Sequence, residues 1–431
     1  MKKLGKESLE NIVRGACLLG SGGGGGYDVS MQFIENFSEG EIAIDSASID
    51  DLRNLTEKKC GVVVAYMGSP EKMRNVKHVD AAVNAVQRLS QEKLGSEGQI
   101  DYIIPVEIGP ISSTVACLVA GELNIPVVDA DGAGRAVPTL DLISYSGQIS
   151  VNPTILSSEK DEKGKYHDVI LQISEGDSEG SATKMESLAR PILSMPEYNQ
   201  RAGLAMWFFP DITEITKEGM CVPGTLTLCE ELGEVIKLEQ ESDQPNTQAI
   251  IDFFEDYDSE RCVKEICSGT LINATTTTAG GFDHGIITIQ NTKDTYKIIF
   301  QNESLIIWDS SSPTPLAMAP DLIAFQIIEK EETDSVSEEG GKERYRWVYT
   351  NEDIMEDKQL KAKFKEAHIT VIGLQAPKEL IKTEQKVGVK RTEMLMKYNH
   401  IQNNTVSTLP EHYMSILNDL GYYGVYVPLQ D

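Results

Sequence analysis

"YIIPVEIGPISSTVACLVAGELNIPVVDAD", residues 102–131, holds one complete unit of a fold. An apolar run (102–107) is cut by Gly109-Pro110, an unbroken segment (112–123) follows, and a second apolar run (125–131) ends in two carboxylates. Continuous Val/Ile runs, rather than alternating ones, read as strands covered on both faces. A strand, a helix and a strand in succession then read as a parallel pair with a crossover helix. Working outward, EIAIDSA (41–47) and GVVVAYMG (61–68) supply further strands, and helical spacing runs from about Val79 to Leu94. The expected fold class is α/β: an N-terminal three-layer α/β sandwich with a mostly parallel sheet.

Upstream lies LLGSGGGGGYD (18–28). Leu9, Ile12, Val13, Ala16 and Cys17 share one face of a helix that Ser8 can cap and that ends near Leu19, and a second helix starts near Asp28. The glycines between them deliver bare backbone N–H groups to that second start. Five glycines in a row satisfy almost any glycine pattern, and no strand precedes them as the dinucleotide fingerprint requires. A phosphate loop of the Gly-Lys-Ser/Thr kind is also missing, since Tyr27-Asp28 follows. Nucleotide phosphate, a flexible connector, and a nest of amides around another anion or a carbonyl oxygen all remain open.

Downstream of about residue 150 the composition shifts. A charged hairpin tip or linker (157–168) and a polar break (174–184) precede helical patterns near 184–195, 224–238 and 247–256. Beyond Arg261, GTLINATTTTAGGFDHGIITIQ, YKIIFQNESLIIWD and PDLIAFQIIEK have the period of strands, which implies a C-terminal β-barrel-like or sandwich domain. EKEETDSVSEEGGKER (329–344) reads as an exposed loop, HITVIGLQAP (368–377) as a last strand, and Glu411 to Leu420 as a helical tail. The expected domains are 1–170, 171–350 and 351–431, the last able to pack back on the first.

The balance of 39 Lys+Arg against 67 Asp+Glu gives a net charge of −28, a field that repels phosphate polymers and anionic lipid. Nucleic acid and membrane surfaces are therefore excluded as partners, and a small-molecule ligand is expected, with a homo-oligomer left open. No apolar run approaches the ~18 residues of a membrane span, and the charged amino terminus is unlike a secretory leader, so the expected location is the cytoplasm. The seven cysteines include no C-x-x-C pair, which argues against a disulfide framework or a zinc ribbon.

In open α/β sheets ligands gather beyond the carboxyl ends of the strands. That rule collects Gly22, Gly23, Gly24 and Gly25, then Glu107 with Gly109 and Ser112, and then Asp129 and Asp131 with Gly132, Gly134 and Arg135. The two aspartates share a face of an extended strand and could bind a divalent cation such as zinc, share a proton or position a water, with Arg135 holding a substrate carboxylate. The structural alternative is a turn cap at Asp131 and an Asp129–Arg135 ion pair. Ser112 to Thr114 either direct hydroxyls and free N–H groups at a ligand or simply cap their helix. His284, in the glycine-flanked GGFDHG (280–285), is either turn chemistry or a third catalytic or metal-ligating group.

The segments LGSGGGGG, VEIGP, PVVDADGAGRAVP, TTAGGFDHG, FQNESL and APDLI occur in this order between residues 19 and 323. In this the chain resembles the S-methyl-thiohydantoin desulfurase-like proteins associated with hydantoin utilisation. The resemblance implies an α/β domain followed by a barrel-like one, and hydrolysis of a cyclic ureide by attack of activated water on a ring carbon. Carried onto this chain, Asp129 or Asp131 would be the base or metal ligand, the glycine amides the donors, Arg135 the clamp and His284 an alternative acid. Tyr27-Asp28 stands where the family has Asp-Pro, a departure that implies an altered pocket. An ATP-using protein of hydantoin or oxoproline metabolism and a catalytically silent binding subunit are the alternatives.

Overall fold

The computed structural model describes residues 1–37, 42–68, 70–73, 76–178, 180–242, 246–279, 282–312, 314–330, 345–377, 413, 416–423, 426 and 428–429. The strand Gly61–Gly68 buries Val62, Val63 and Val64 alike, so both of its faces are covered, as its unbroken apolar run requires. It pairs in parallel with Tyr102–Pro105, which pairs in parallel with Val127–Val128, and that strand in turn with Ile44–Ala47. The crossover helix Pro110–Leu123 is buried continuously from Pro110 to Ala120, as expected of a helix that is apolar all round. Pro110 opens it, and Asn124 closes it in the left-handed conformation with φ 53°.

The expectation of a mostly parallel sheet holds only for these four central strands. On the far side of Gly61–Gly68 the sheet continues antiparallel through Arg201–Phe209, Thr154–Ser157 and Asp168–Leu171, and Lys2–Leu4 adds an antiparallel edge. The charged stretch 157–168 is thus the tip of a hairpin. The strand Arg201–Phe209, inside the expected 171–350 unit, belongs to the first sheet and carries the same continuous apolar run as its neighbours.

Helices follow at Ser181–Leu193, Thr225–Gln240 and Gln248–Tyr257, close to the spacing of their apolar residues. The first helix spans Lys6–Leu19 with Gly5 at its cap, so Ser8 lies inside it. From Val263 onward a ten-stranded antiparallel sheet forms around Val263–Ala279, which pairs with Phe282–Gln290 on one side and His368–Leu374 on the other. The strand order is an open path, and among the described residues no pairing closes it into a barrel. Most of 329–344, and much of the tail from 378, lie outside the described residues. Tyr413 and Leu417 of the tail share an apolar cluster with Leu142, Val222, Leu305 and Ile306, so this end of the chain packs where the two sheets meet. Among the described residues no helix is long and apolar enough to cross a membrane.

The glycine run sits at that junction and holds it together. Ser21 O accepts from Ser304 N at 2.7 Å, Gly22 O from Asn351 N at 2.8 Å and Gly24 O from Ile111 N at 2.9 Å. Three elements therefore converge on one loop, which explains the lack of side chains. A Cβ on Gly24, whose φ is 71°, would come within 2.5 Å of Gly109 Cα.

Candidate active site

A cavity of about 620 Å³ opens between the two sheets. Gly22–Gly25 form one wall, Glu107 and Ser112 stand at the carboxyl end of the first sheet, and Asn302, Glu303 and Asn351 come from the second. The glycine loop, Glu107 and Ser112 are thus brought together as the sequence implied.

Glu107 lies two residues past the strand Tyr102–Pro105, in the bend that leads to Gly109-Pro110. Ser112 Oγ donates to its Oε1 at 3.0 Å and Val137 N to its Oε2 at 2.7 Å. Burial pushes it up to about 7, against the lowering effect of those two hydrogen bonds. Across the cavity, Glu303 is 3% exposed and its Oε2 has no hydrogen-bond partner. Burial raises it well above the usual carboxylate range, and the Glu107 charge adds to that rise, whereas Arg135 and the Gly24 amide work the other way. Two carboxyls thus share one enclosed space, and their titrations belong to the pair. Gly23 makes room for this arrangement, because a Cβ there would fall 2.1 Å from Glu303 Oε1.

The other acidic candidates have structural partners. Asp129 Oδ1 accepts from Leu226 N at 2.8 Å and Thr227 N at 3.1 Å, and its Oδ2 accepts from Thr227 Oγ1 at 2.6 Å. It caps the helix Thr225–Gln240 from a distant strand and does not line the cavity. Asp129→Ala is accordingly expected to lower stability by about 1–2 kcal/mol while leaving turnover near that of the parent, read by denaturant unfolding beside an activity assay. Asp131 is fully buried and accepts from Ala133 N at 3.0 Å and Gly134 N at 2.8 Å, an Asx turn that shapes the loop. Burial pushes it up to about 7, but it too lies away from the cavity wall.

Arg135 cannot serve as the clamp for a substrate carboxylate. It is fully buried, and its guanidinium donates to the backbone carbonyls of Ala136 (2.9 Å), Pro320 (3.1 Å), Asp321 (2.9 Å) and Ser304 (3.1 Å). It ties the loop 131–138 to the second sheet and sits beneath the carboxyl pair. Gly109 lies under Gly24, Gly132 against Ile143 and Tyr145, and Gly134 against Pro377 and Val222, so all three serve close packing.

His284 is half-buried on the strand Phe282–Gln290, its ring 6.2 Å from that of Phe282. Its neighbour Asp283 lines the cavity, and strand alternation sends His284 to the opposite face. Asp129, Asp131 and His284 therefore do not converge on a metal, and among the described residues no group of three or more His, Cys, Asp or Glu could hold one. Cys117, near the site in sequence, is buried and its thiol is pushed up to about 12 by that burial, an unreactive state.

Glu303 and Asn351 were not legible as site residues from single-sequence chemistry. The available signal was a carboxylate opening the apolar run ESLIIWD, directly after Asn302. A second missed feature is the pair Glu186–Arg190 on the cavity wall. Arg190 bonds Glu186, its guanidinium carbon lies 3.8 Å from the Phe282 ring centre, and Glu186 Oε2 accepts from Leu140 N at 3.0 Å.

Comparison with known proteins agrees with this two-part architecture. A crystal structure of a protein from Chromobacterium violaceum superposes with a TM-score of 0.76 at 27% identity, covering 100% of both chains. No curated protein matches the chain. The family model "S-Me-THD-like, N-terminal domain" matches residues 7–166, and "S-Me-THD-like, C-terminal domain" matches residues 180–387. With both halves matched, the chain belongs to the S-Me-THD-like family, that of the S-methyl-thiohydantoin desulfurase-like proteins.

Proposed function

We propose that the protein is a hydrolase of a five-membered cyclic ureide of the S-methyl-thiohydantoin or hydantoin type, and that Glu107 and Glu303 carry the reaction. The observation that supports this most is the pair itself: the half-buried Glu107 just past the end of a strand of the first sheet and the buried Glu303 opening a strand of the second line a single cavity. Like charges in such a space cannot both ionise near neutral pH, so one is held as a base and the other as an acid. Glu107, whose two hydrogen bonds favour the charged form, is the base, and Glu303, with Oε2 unpaired, is the acid.

For an S-methylated ring, Glu107 takes a proton from water as the water oxygen bonds to the ring carbon, and Glu303 gives its proton to the adjoining ring nitrogen. The carbon–sulfur bond then breaks. Collapse to a ring carbonyl returns the hydroxyl proton to Glu303, and the proton held by Glu107 leaves with sulfur as methanethiol. Both carboxyls finish as they began. The side-chain-free wall of Gly22–Gly25 lets a planar ring lie against the backbone. No step requires Asp129, Asp131 or His284.

The test is incubation of the purified protein with an S-methyl-thiohydantoin, following thiol with a chromogenic reagent and the ring by mass spectrometry. Equal amounts of methanethiol and hydantoin are expected. A ring that binds, by calorimetry, yet releases no thiol over the uncatalysed background would overturn the proposal.

A further inference from the structure

We infer that Asn302 is a substrate-binding residue of this site, its side-chain NH2 group donating to the ring carbonyl that is not attacked. This deepens the reading of the site as a ureide hydrolase and rests on it for the ring. Asn302 lines the cavity, half-buried, at the tip of the hairpin that joins Thr295–Gln301 to Glu303–Asp309. It is held from three directions. Its N donates to Asp283 O at 2.8 Å, its O accepts from Asn351 Nδ2 at 2.8 Å, and its Oδ1 accepts from Asp283 N at 2.9 Å. Asp283 is braced in turn by Thr278, whose Oγ1 donates to Asp283 Oδ1 at 2.7 Å. A backbone N–H can only donate, so the carboxamide oxygen must face Asp283 and the NH2 group is left on the other side. Among the described residues that nitrogen has no protein acceptor, and it is not closed off from solvent.

A five-membered ureide offers N–H groups, which carboxyls can meet, and a carbonyl oxygen, which needs a donor. The other donors of the wall are committed. Ser112 donates to Glu107, Tyr66 to Glu159 Oε1 at 3.0 Å and Thr276 to His284 O at 3.1 Å, while Thr139 Oγ1 is closed off from solvent. In the glycine loop, Gly23 N donates to Gly20 O at 3.0 Å and the Gly24 amide to Glu303. Arg190 is engaged by Glu186 and Phe282, and Lys358 is exposed at the rim. Asn302 therefore brings a fixed donor next to the proposed acid, and the chemistry uses one there. Water adding to the S-methylated carbon sends electrons to the adjoining ring nitrogen, and the carbonyl bonded to that nitrogen shares the charge until Glu303 delivers its proton. Asn302 and Glu303 are consecutive in the chain, as the carbonyl and the nitrogen are in the ring. A neutral donor at that oxygen binds more strongly as charge develops, without adding a cation that would hold Glu303 ionised.

The experiment compares, by calorimetry, the hydantoin product with imidazolidin-2-one, a ring that keeps both N–H groups and the urea carbonyl but lacks the second carbonyl. The parent is expected to bind hydantoin about tenfold more tightly, the worth of one hydrogen bond. Asn302→Asp keeps the acceptor for Asp283 N, and both it and Asn302→Gly accommodate the left-handed backbone, whose φ is 58°. In both variants the hydantoin-to-urea ratio falls toward one while binding of the cyclic urea changes little, and kcat on an S-methyl-thiohydantoin drops about 10²-fold. A residue that only shaped the hairpin would weaken both ligands alike. A ratio unchanged in the variants, or a parent that does not discriminate between the two rings, overturns the inference. The ratio decides the contact, and methanethiol release by the parent decides the reaction. A ratio that collapses in the variants without thiol release by the parent would retain the first and remove the second.

Discussion

Glu303→Gln is expected to lower methanethiol release by about 10²–10⁴-fold, the usual contribution of a positioned acid or base, while the protein remains folded and binds the hydantoin product. Glutamine matches the shape of protonated glutamate but has no proton to give. The same substitution changes stability in a direction opposite to ordinary core damage. Burial, together with the Glu107 charge, raises Glu303 well above its ordinary value of 4.5, so the native state keeps a proton that the unfolded chain has lost. Below pH 4.5 both states are protonated and the favourable environment of the neutral form is fully felt. As pH rises from there, the unfolded chain ionises first and native stability declines, until the native carboxyl also ionises. Glu107, raised to about 7, declines over the window from 4.5 to about 7 for the same reason. Glu303→Gln should therefore melt close to the parent at pH 5 and several degrees above it at pH 8. A variant that melts well below the parent at both pH values would mean that the carboxyl is structural.

Arg135→Met is expected to have the largest effect on stability, a loss of at least ~3–5 kcal/mol, as for removal of one partner from a buried charged cluster. Its guanidinium satisfies four backbone carbonyls, one on its own loop at Ala136 and three on the second sheet and its adjoining turn at Ser304, Pro320 and Asp321. Methionine fills the volume but leaves those oxygens without donors, at about 1–3 kcal/mol for each one that water cannot reach. Lysine is not expected to rescue it, since one ammonium cannot reproduce the planar fork that spans Ala136, Ser304, Pro320 and Asp321. Loss of the charge also removes a cation that lowers both Glu107 and Glu303, so the folded fraction should show its pH–activity profile displaced upward. Urea unfolding at constant pH, with activity measured on the remaining native fraction, separates the two consequences. An Arg135→Met protein within about 1 kcal/mol of the parent would show that the buried fork contributes little.

Much of the fold was readable because its strands announce themselves locally. The runs 61–68 and 102–107 and the helix between 110 and 123 are continuous in sequence, and burial on both faces leaves no alternation to misread. The insertion of Arg201–Phe209 between Gly61–Gly68 and Thr154–Ser157 was not, since its pairing with Gly61–Gly68 joins residues that are distant in the chain, such as Gly68 and Arg201. A similar division holds at the site. Glu107, Ser112 and the glycines are local to one sheet edge and were found together. Asp129 was read as chemistry because it ends a buried strand, yet its partners are amides at residues 226 and 227. Glu303 lies some 280 residues from the glycines it faces, and nothing but tertiary contact joins them.

The central claim is that Glu107 and Glu303 hold one proton between them inside the cavity at neutral pH. Difference infrared spectroscopy tests it directly, by looking for the carboxylic acid carbonyl stretch of a buried protonated glutamate at pH 7. A band that is present in the parent protein, weakened in Glu303→Gln by the share of one glutamic acid while Asp131 and Glu107 keep theirs, and lost as pH is raised is the expected result. A parent spectrum with no protonated carboxyl at pH 7 would contradict the claim.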